Sequence, residues 1–541
     1  MKFKKNGKKT WRLIVKTKYK LLFTICIWFL GFLGIQGQNV STEEKIKILE
    51  KEIEQLKEKK ATKQYRSFQG LGPAASGVYY VDDGLSWGGY GEIKYKNYKT
   101  PYRADFADVH RLILYAGYKF NDWIIFNSET EYEHAGIETK KITFCEDVVA
   151  GNCKKKTEKI QQGEVYTEFA YVDFLFSDAF QIAAGLQLIP VGITNIYHEP
   201  TTFFTVERPY TESVIIPSTW RDIGIMAHGK LFNDLLLYKI GVFNGLDATS
   251  FSENEWIRGG RQKGSKVKAQ DLAYVAAVDV YPIEGLTIGG SYYIGGSGHK
   301  DVEKVDVLSR IDWSVVIPGT DDVSKNLRSY VEKSYKNSRK INPLIHLAEG
   351  HIKFEKDAFY FQSLLARGWI KEDEVRALNS LTNKNIGSTV EGAYFNVGYD
   401  VAKIFRWNKK LVLFYQNEYI NTQKRTLRDG AKIYFEKEIA NNSGGLLKTT
   451  YTDTDNSMPN SISSTEVKSV YSQLGIVGAP NPVNDRRIQT VGLAFYPHPN
   501  VSIKLDYEDW SSKSKYYQDS DFYNQSNNNI DVVNLAITFI F

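Results

Sequence analysis

The stretch Ile530-Asp531-Val532-Val533-Asn534-Leu535-Ala536-Ile537-Thr538-Phe539-Ile540-Phe541 alternates apolar with small or polar side chains. Val533, Leu535, Ile537, Phe539 and Phe541 share one face; Asn534, Ala536, Thr538 and Ile540 share the other. A period of two is the signature of a β-strand. Its aliphatic and aromatic face must be covered, either by the core of a soluble sandwich or by the hydrocarbon of a bilayer. The rest of the chain decides between them.

Working outward, the same pattern recurs in residues 87–98, 108–120, 123–134, 164–176, 180–188, 220–232, 235–246, 271–281, 286–296, 343–354, 358–369, 389–401, 410–422, 487–496 and 500–510. With 530–541 this makes sixteen strands. Their connections alternate without exception between short turns, such as Asn121-Asp122, Ser177-Asp178 and Asn233-Asp234, and long polar loops. About ten residues is the length a tilted strand needs to cross hydrocarbon, whereas soluble strands commonly have five or six. Aromatics gather beside the short turns (Phe120, Trp123, Phe176, Phe180, Phe232, Tyr281, Tyr496) as interfacial girdles do. In lipid every backbone group must be paired within the protein, which a sheet achieves only by closing. The expected fold is all-β: a 16-stranded antiparallel transmembrane β-barrel over 87–541, with short periplasmic turns and long extracellular loops. Outer-membrane lipid is then a partner.

The ends of the chain fit export. Lys2, Lys4, Lys5, Lys8, Lys9, Arg12, Lys16, Lys18 and Lys20 precede the apolar run 21–35, a signal-peptide pattern over 1–37. These nine cations turn the formal charge of +6 into 6 − 9 = −3 for the remainder, so the basic balance speaks for export and not for nucleic acid. The destination is the outer membrane of a Gram-negative bacterium. Residues 38–64 read as a periplasmic helix, with a Ser41/Glu44 capping pattern and Ile46, Leu49, Ile53 and Leu56 at 3-4-3 spacing. A short coiled coil and a solvated amphipathic helix both satisfy that spacing. Residues 65–86, with Gly70, Gly72, Gly77 and Gly84, read as a Gly-rich linker. Cys145 and Cys153, eight residues apart in one polar segment, are expected to form a local disulfide.

A barrel of sixteen strands is too wide for side chains alone to fill. Residues 189–219 differ from the other long loops in lacking Lys and in carrying Pro190, Pro200, Pro209 and Pro217 among Tyr197, Phe203, Phe204 and Tyr210. Such a loop folds and packs, either into the lumen as a constriction or outside as a lid. If it enters the lumen, Glu199, Glu207, Arg208 and Glu212, with Arg221 beside it, stand where charge and diameter set selectivity. Lys94, Arg111, Lys119, His228, Lys230, Lys353 and Lys504 fall on lumen faces, scattered among Glu92, Asp222, Glu355, Asp506 and Glu508.

The run Gly185-Leu186-Gln187-Leu188-Ile189-Pro190-Val191-Gly192, followed by Glu207-Arg208 and by Trp220-Arg221-Asp222-Ile223-Gly224, resembles the phosphate-selective porin O and P family of outer-membrane proteins. The resemblance covers the barrel in architecture and these thirty-odd residues in motif. It implies a trimeric channel with the loop after the fifth strand folded inward and basic residues attracting anions. The inward loop departs from that picture, with three Glu to one Arg. The expected function is an outer-membrane porin for small hydrophilic solutes or ions, with anion or phosphate preference as its narrower form. The alternative is a surface protein whose loops 297–342 and 423–486 bind an external ligand.

No cofactor is implied. Eight His residues, among them His110, His198 and His351, occur without a Gly-x-Ser-x-Gly or His-Glu-x-x-His motif and read as wet wall residues, so an enzyme is not expected. The terminal aromatic Phe541 resembles the signal read by the outer-membrane assembly machinery.

Overall fold

The computed structural model describes residues 66–99, 104–149, 152–299, 325, 342–382, 384–427, 434–440, 446–452, 480–512 and 529–541. The chain divides into two compact units, 1–64 and 65–541, and the second carries the fold. The expected signal peptide (1–37) and helix (38–64) lie outside the described residues, as does most of loops 297–342 and 423–486.

The barrel strands are β1 (Gly84–Tyr98), β2 (Phe106–Asn121), β3 (Ile124–Glu133), β6 (Val165–Ser177), β7 (Phe180–Leu188), β8 (Arg221–Leu231), β9 (Leu236–Asn244), β10 (Leu272–Ile283), β11 (Leu286–Gly296), β12 (Leu344–Lys356), β13 (Phe359–Trp369), β14 (Thr389–Asp400), β15 (Lys410–Arg425), β18 (Asp485–His498), β19 (Val501–Ser512) and β20 (Asn529–Ile540). Each pairs antiparallel with its neighbour, and β20 pairs back onto β1, closing the barrel. All sixteen expected strands are present, with ends that differ by a few residues. Two hairpins stand apart: β4 (Glu138–Val149) with β5 (Asn152–Gln162), and β16 (Tyr434–Ala440) with β17 (Leu446–Thr452). They fall in stretches that read as polar loops in the sequence. In the first, Cys145 lies opposite Lys155 and Cys153 opposite Val148 along the backbone ladder.

The alternation of β20 is that of the barrel wall. Leu535, Ile537 and Phe541 are exposed on the outside, whereas Asn534, Ala536 and Thr538 are buried inside. The outer surface continues with Ile223, Ile225, Ile240, Leu365, Leu413 and Val491, all exposed. At the short-turn end Trp123, Phe176 and Phe180 form an aromatic ledge with centroids 6.1 and 5.9 Å apart. An apolar band bounded by aromatics is the surface a bilayer covers.

At the closing seam, Gly89 and Phe541 exchange both backbone hydrogen bonds at 2.9 Å. The Phe539 ring lies over Gly91, where a Cβ would stand 2.3 Å from it. Small residues in β1 thus let the terminal aromatics cover the seam.

The hydrophobic core is inside the barrel. Ile189, Val191, Ile215, Ile216 and Trp220 pack with Phe243, Phe251, Trp256 and Tyr293, and all are buried. Each such side chain contributes roughly 1.5–3 kcal/mol by leaving water.

The Gly-rich stretch 65–86 is no free linker. Its described part lines the inner wall near the short turns: Gln69 bonds Gln181 (2.9 Å) and His228 (2.7 Å), Asn127 donates to the Ala75 carbonyl (2.9 Å), and Tyr79 donates to Asp173 (2.9 Å). Its glycines allow close backbone approach; at Gly72 a Cβ would meet the Glu199 carboxylate at 2.4 Å.

Candidate functional site

The connection from β7 to β8, residues 189–219, runs inside the barrel. Its two stems are joined by Asn195, whose side chain donates to the Ile189 carbonyl (2.6 Å) and the Trp220 carbonyl (3.0 Å) and accepts from the Trp220 N–H (2.6 Å). From there it reaches strands far along the chain. Asp506 of β19 accepts from the Val206 N–H (2.6 Å), and Glu418 of β15 from the Thr211 N–H (3.0 Å). Lys504 of β19 donates to the Pro200 and Thr205 carbonyls at 2.5 and 2.9 Å.

Of the expected constriction residues, two are internal braces. Glu199 accepts from the Ala74 and Ala75 N–H groups at 2.8 and 2.9 Å, tying the loop to the N-terminal segment. Burial pushes its carboxyl up to about 7, against the pull of those amides. Glu212 accepts from the Ile193 and Thr194 N–H groups and from the Tyr394 hydroxyl at 2.8, 2.6 and 2.6 Å. Burial raises it too. Neither faces solvent.

The other three, Glu207, Arg208 and Arg221, line a cavity of about 440 Å³ on the long-loop side. Glu207 pairs with Lys94 (3.1 Å) and Lys96 (2.7 Å). Burial works against its charge, but these two cations hold it well below the usual carboxylate range. A second cavity of about 480 Å³ lies on the short-turn side of the loop, lined by Gly192, Tyr197, Lys230, Lys239, Asp279, His351 and Lys353 among others.

The expected lumen cations have specific partners. Arg111 bridges Glu92 (3.1 Å) and Glu131 (3.5 Å), and Lys119 donates to the Val81 carbonyl (3.1 Å). His228 joins Gln69 to Asp173, Lys230 pairs with Asp234 (3.2 Å), and Lys353 sits 4.7 Å from the Tyr197 ring centroid. Lys504, already spent on the loop, also covers Phe203 at 4.1 Å. Most of these groups hold the interior together.

Comparison with known proteins adds little to this geometry. No family model matches the chain. An uncharacterized protein of Aquifex aeolicus is 40% identical over 239 residues, 44% of this chain and 50% of that protein, so the match spans about half the relative's length. Among solved structures, a loop-deletion variant of OmpT, an outer-membrane protein of Vibrio cholerae, superposes with a TM-score of 0.41 at 8% identity, over 85% of this chain and all of that one. Salmonella typhi OmpF gives 0.41 at 11%, over 85% and 98%. The outer-membrane channel DcaP of Acinetobacter baumannii gives 0.39 at 9%, over 84% and 97%. At such TM-scores the likeness carries no weight, and the fold rests on the strand pairing itself.

The sequence reading missed the cations contributed by the next loop. Arg258, Arg261 and Lys263, from the β9–β10 connection, converge on the same outer cavity as Arg111, Arg208 and Arg221. Arg258 donates to the Ser213 carbonyl (2.7 Å) and to that of Ser218; Arg261 donates to the Pro217 and Thr219 carbonyls at 3.0 and 3.1 Å. Burial, then the positive charges of Arg258 and Arg221, push Arg261 down to about 9. A guanidinium keeps its proton, so the depression reports a cation that is buried first of all and, second, crowded by like charge. Arg208 makes no hydrogen bond or ion pair with the described residues. Nε and Nη2 of Arg221 are buried without a hydrogen-bond partner.

Proposed function

We propose that the protein is an outer-membrane porin that passes small hydrophilic solutes and ions between an outer and an inner chamber divided by residues 189–219, with a preference for anions. The observation that carries the preference is the outer cavity, where Arg111, Arg208, Arg221, Arg258, Arg261 and Lys263 stand against Glu133, Glu164 and Glu207, a formal excess of 6 − 3 = +3. A narrow passage lined by one sign of charge between low-dielectric walls concentrates counter-ions. Planar guanidiniums suit the oxygens of carboxylates and phosphates. Phosphate preference is the narrower reading, supported by the motif resemblance around Gly185–Gly192 and Trp220–Gly224 together with these donors.

The test is conductance in planar bilayers under a potassium chloride gradient. Stepwise currents with a reversal potential on the anion side are expected. A barrel that gives no steps, or one that favours potassium, refutes the proposal. The resemblance also implies a homotrimer, which the mass of the detergent-solubilised complex decides.

A further inference from the structure

Glu129 of β3, Glu168 of β6 and His198 of the inward loop meet inside the barrel wall, all buried. Their ligand-capable atoms all lie within 4.8 Å of one another. His198 Nε2 stands 3.2 Å from Glu168 Oε2 and 3.6 Å from Glu129 Oε1, yet none of these three atoms has a hydrogen-bond partner. Neither oxygen of Glu129 has one at all. A buried ionised carboxylate without a partner is costly, so something must neutralise Glu129. A proton shared with Glu168 or His198 would do so, and so would a cation held among the same three side chains, whose ligand-capable atoms converge; metal loading separates the two.

The surrounding groups are arranged as metal ligands require. His198 Nδ1 lies 3.0 Å from the Asn195 carbonyl, so Nδ1–H donates there and Nε2 is the nitrogen that faces the carboxylates. An imidazole that binds a metal typically spends its other N–H in this way. Arg221 holds Glu168 through Oε1 at 3.1 Å, leaving Oε2 free to face inward. Glu168 itself is set by a β-bulge: Glu129 pairs with Phe169 and Thr130 with Thr167, so Glu168 has no place in the ladder and both it and Phe169 are buried. Bulges re-aim side chains in this manner. Three N and O ligands about 2.1 Å from one centre, at angles between octahedral and tetrahedral, stand roughly 3.0–3.4 Å apart; His198 Nε2 lies 3.2 Å from one carboxylate oxygen and 3.6 Å from the other, so a small closure of the Glu129 contact completes the set.

We infer that Glu129, Glu168 and His198 bind a first-row divalent cation, which ties the inward loop to the barrel wall. One imidazole and two carboxylates suit Zn²⁺, Fe²⁺ or Mn²⁺ and disfavour Cu⁺, which takes thiolates.

The full-length protein, folded in detergent without chelator, is loaded with Zn²⁺ or Co²⁺, passed over a desalting column and assayed by elemental mass spectrometry. About one metal per chain is expected. Roughly a tenfold or greater loss is expected in Glu129→Gln and in His198→Gln. Asp108, His110 and His134 form a second, more exposed group of possible ligands; the double variant His110→Gln with His134→Gln should retain the metal and so separates adventitious binding from the buried site. Metal well below one per chain in the folded wild type, or unchanged content in Glu129→Gln and His198→Gln, overturns the inference. Should those variants fail the heat-shift test for a folded barrel, X-ray absorption of the Co²⁺-loaded wild type decides: one imidazole with oxygen neighbours supports the site, and an all-oxygen or multi-imidazole shell refutes it.

Discussion

Reversing the charge at Arg208 separates a vestibule that selects ions from one that is only wide. A sphere of 440 Å³ has a radius of about 5 Å, so an ion at its centre lies that far from a guanidinium on the wall. In water the pair interacts by about 0.8 kcal/mol at that distance. Screening at 0.1 M salt, with a Debye length of ~10 Å, leaves about 0.5 kcal/mol. Arg208→Glu changes the wall by two charges, hence about 1 kcal/mol, or roughly fivefold in anion occupancy, with cations favoured by a similar factor. At 1 M salt the Debye length of ~3 Å cuts the change to about 0.3 kcal/mol, less than twofold. Reversal potentials of wild type, Arg208→Glu and Arg208→Lys at both ionic strengths test this. The proposed anion preference should collapse in Arg208→Glu at low salt, differ little from wild type at high salt, and survive in Arg208→Lys. An Arg208→Glu channel with wild-type selectivity at 0.1 M, or a shift indifferent to salt, would refute the role of the cation cluster.

Tyr394→Phe removes a hydrogen bond to the buried Glu212 carboxylate, a loss of about 1.5–3 kcal/mol in anchoring the loop. The amides of Ile193 and Thr194 should then exchange with deuterium at least about tenfold faster, and unchanged exchange would show that Glu212 braces nothing. Burial raises Glu199 from 4.5 to about 7 against the pull of the Ala74 and Ala75 amides, so the stability of the state with this carboxyl buried is fully present below pH 4.5 and lost as pH rises through 7. That amounts to about 3 kcal/mol across the window. Deuterium uptake of residues 72–80, corrected for intrinsic rates, should therefore increase from pH 5 to pH 8 and lose this dependence in Glu199→Gln; equal pH dependence in the variant contradicts it. Leu535→Arg, on the lipid face of β20, should cost roughly 2–4 kcal/mol in urea unfolding from bilayers. No cost there would mean that this face does not meet hydrocarbon.

The wall was legible because a bilayer dictates it residue by residue. In β20 the solvent of each face can be read from the strand alone, since lipid wants Leu535 and Ile537 where the lumen accepts Asn534 and Thr538. Repetition of that pattern sixteen times fixed the barrel. The interior follows no period. Arg258 and Arg261 sit in a loop where sequence shows only charge, and their convergence on Arg208 and Arg221 exists only once two loops fold into one cavity. His198 reads as a wet residue because Glu129 and Glu168 lie 69 and 30 positions away, and the bulge that turns Glu168 inward leaves no mark on composition. For residues 65–86, glycine content announces conformational freedom and close approach equally, and here close approach prevails. The lack of Lys in residues 189–219 signalled packing without saying on which side of the wall.

The anchors of the inward loop also bear on the mechanics of the shell. Hydrogen bonds between neighbouring strands resist their separation but oppose flattening of the ring weakly. Residues 189–219 leave the wall between β7 and β8 and are fastened at β1 through Lys94, at β14 through Tyr394, at β15 through Glu418 and at β19 through Lys504 and Asp506. Struts at several points around the circumference hold a ring round. Cutting one should therefore change the shape of the whole cross-section as well as the aperture beside it.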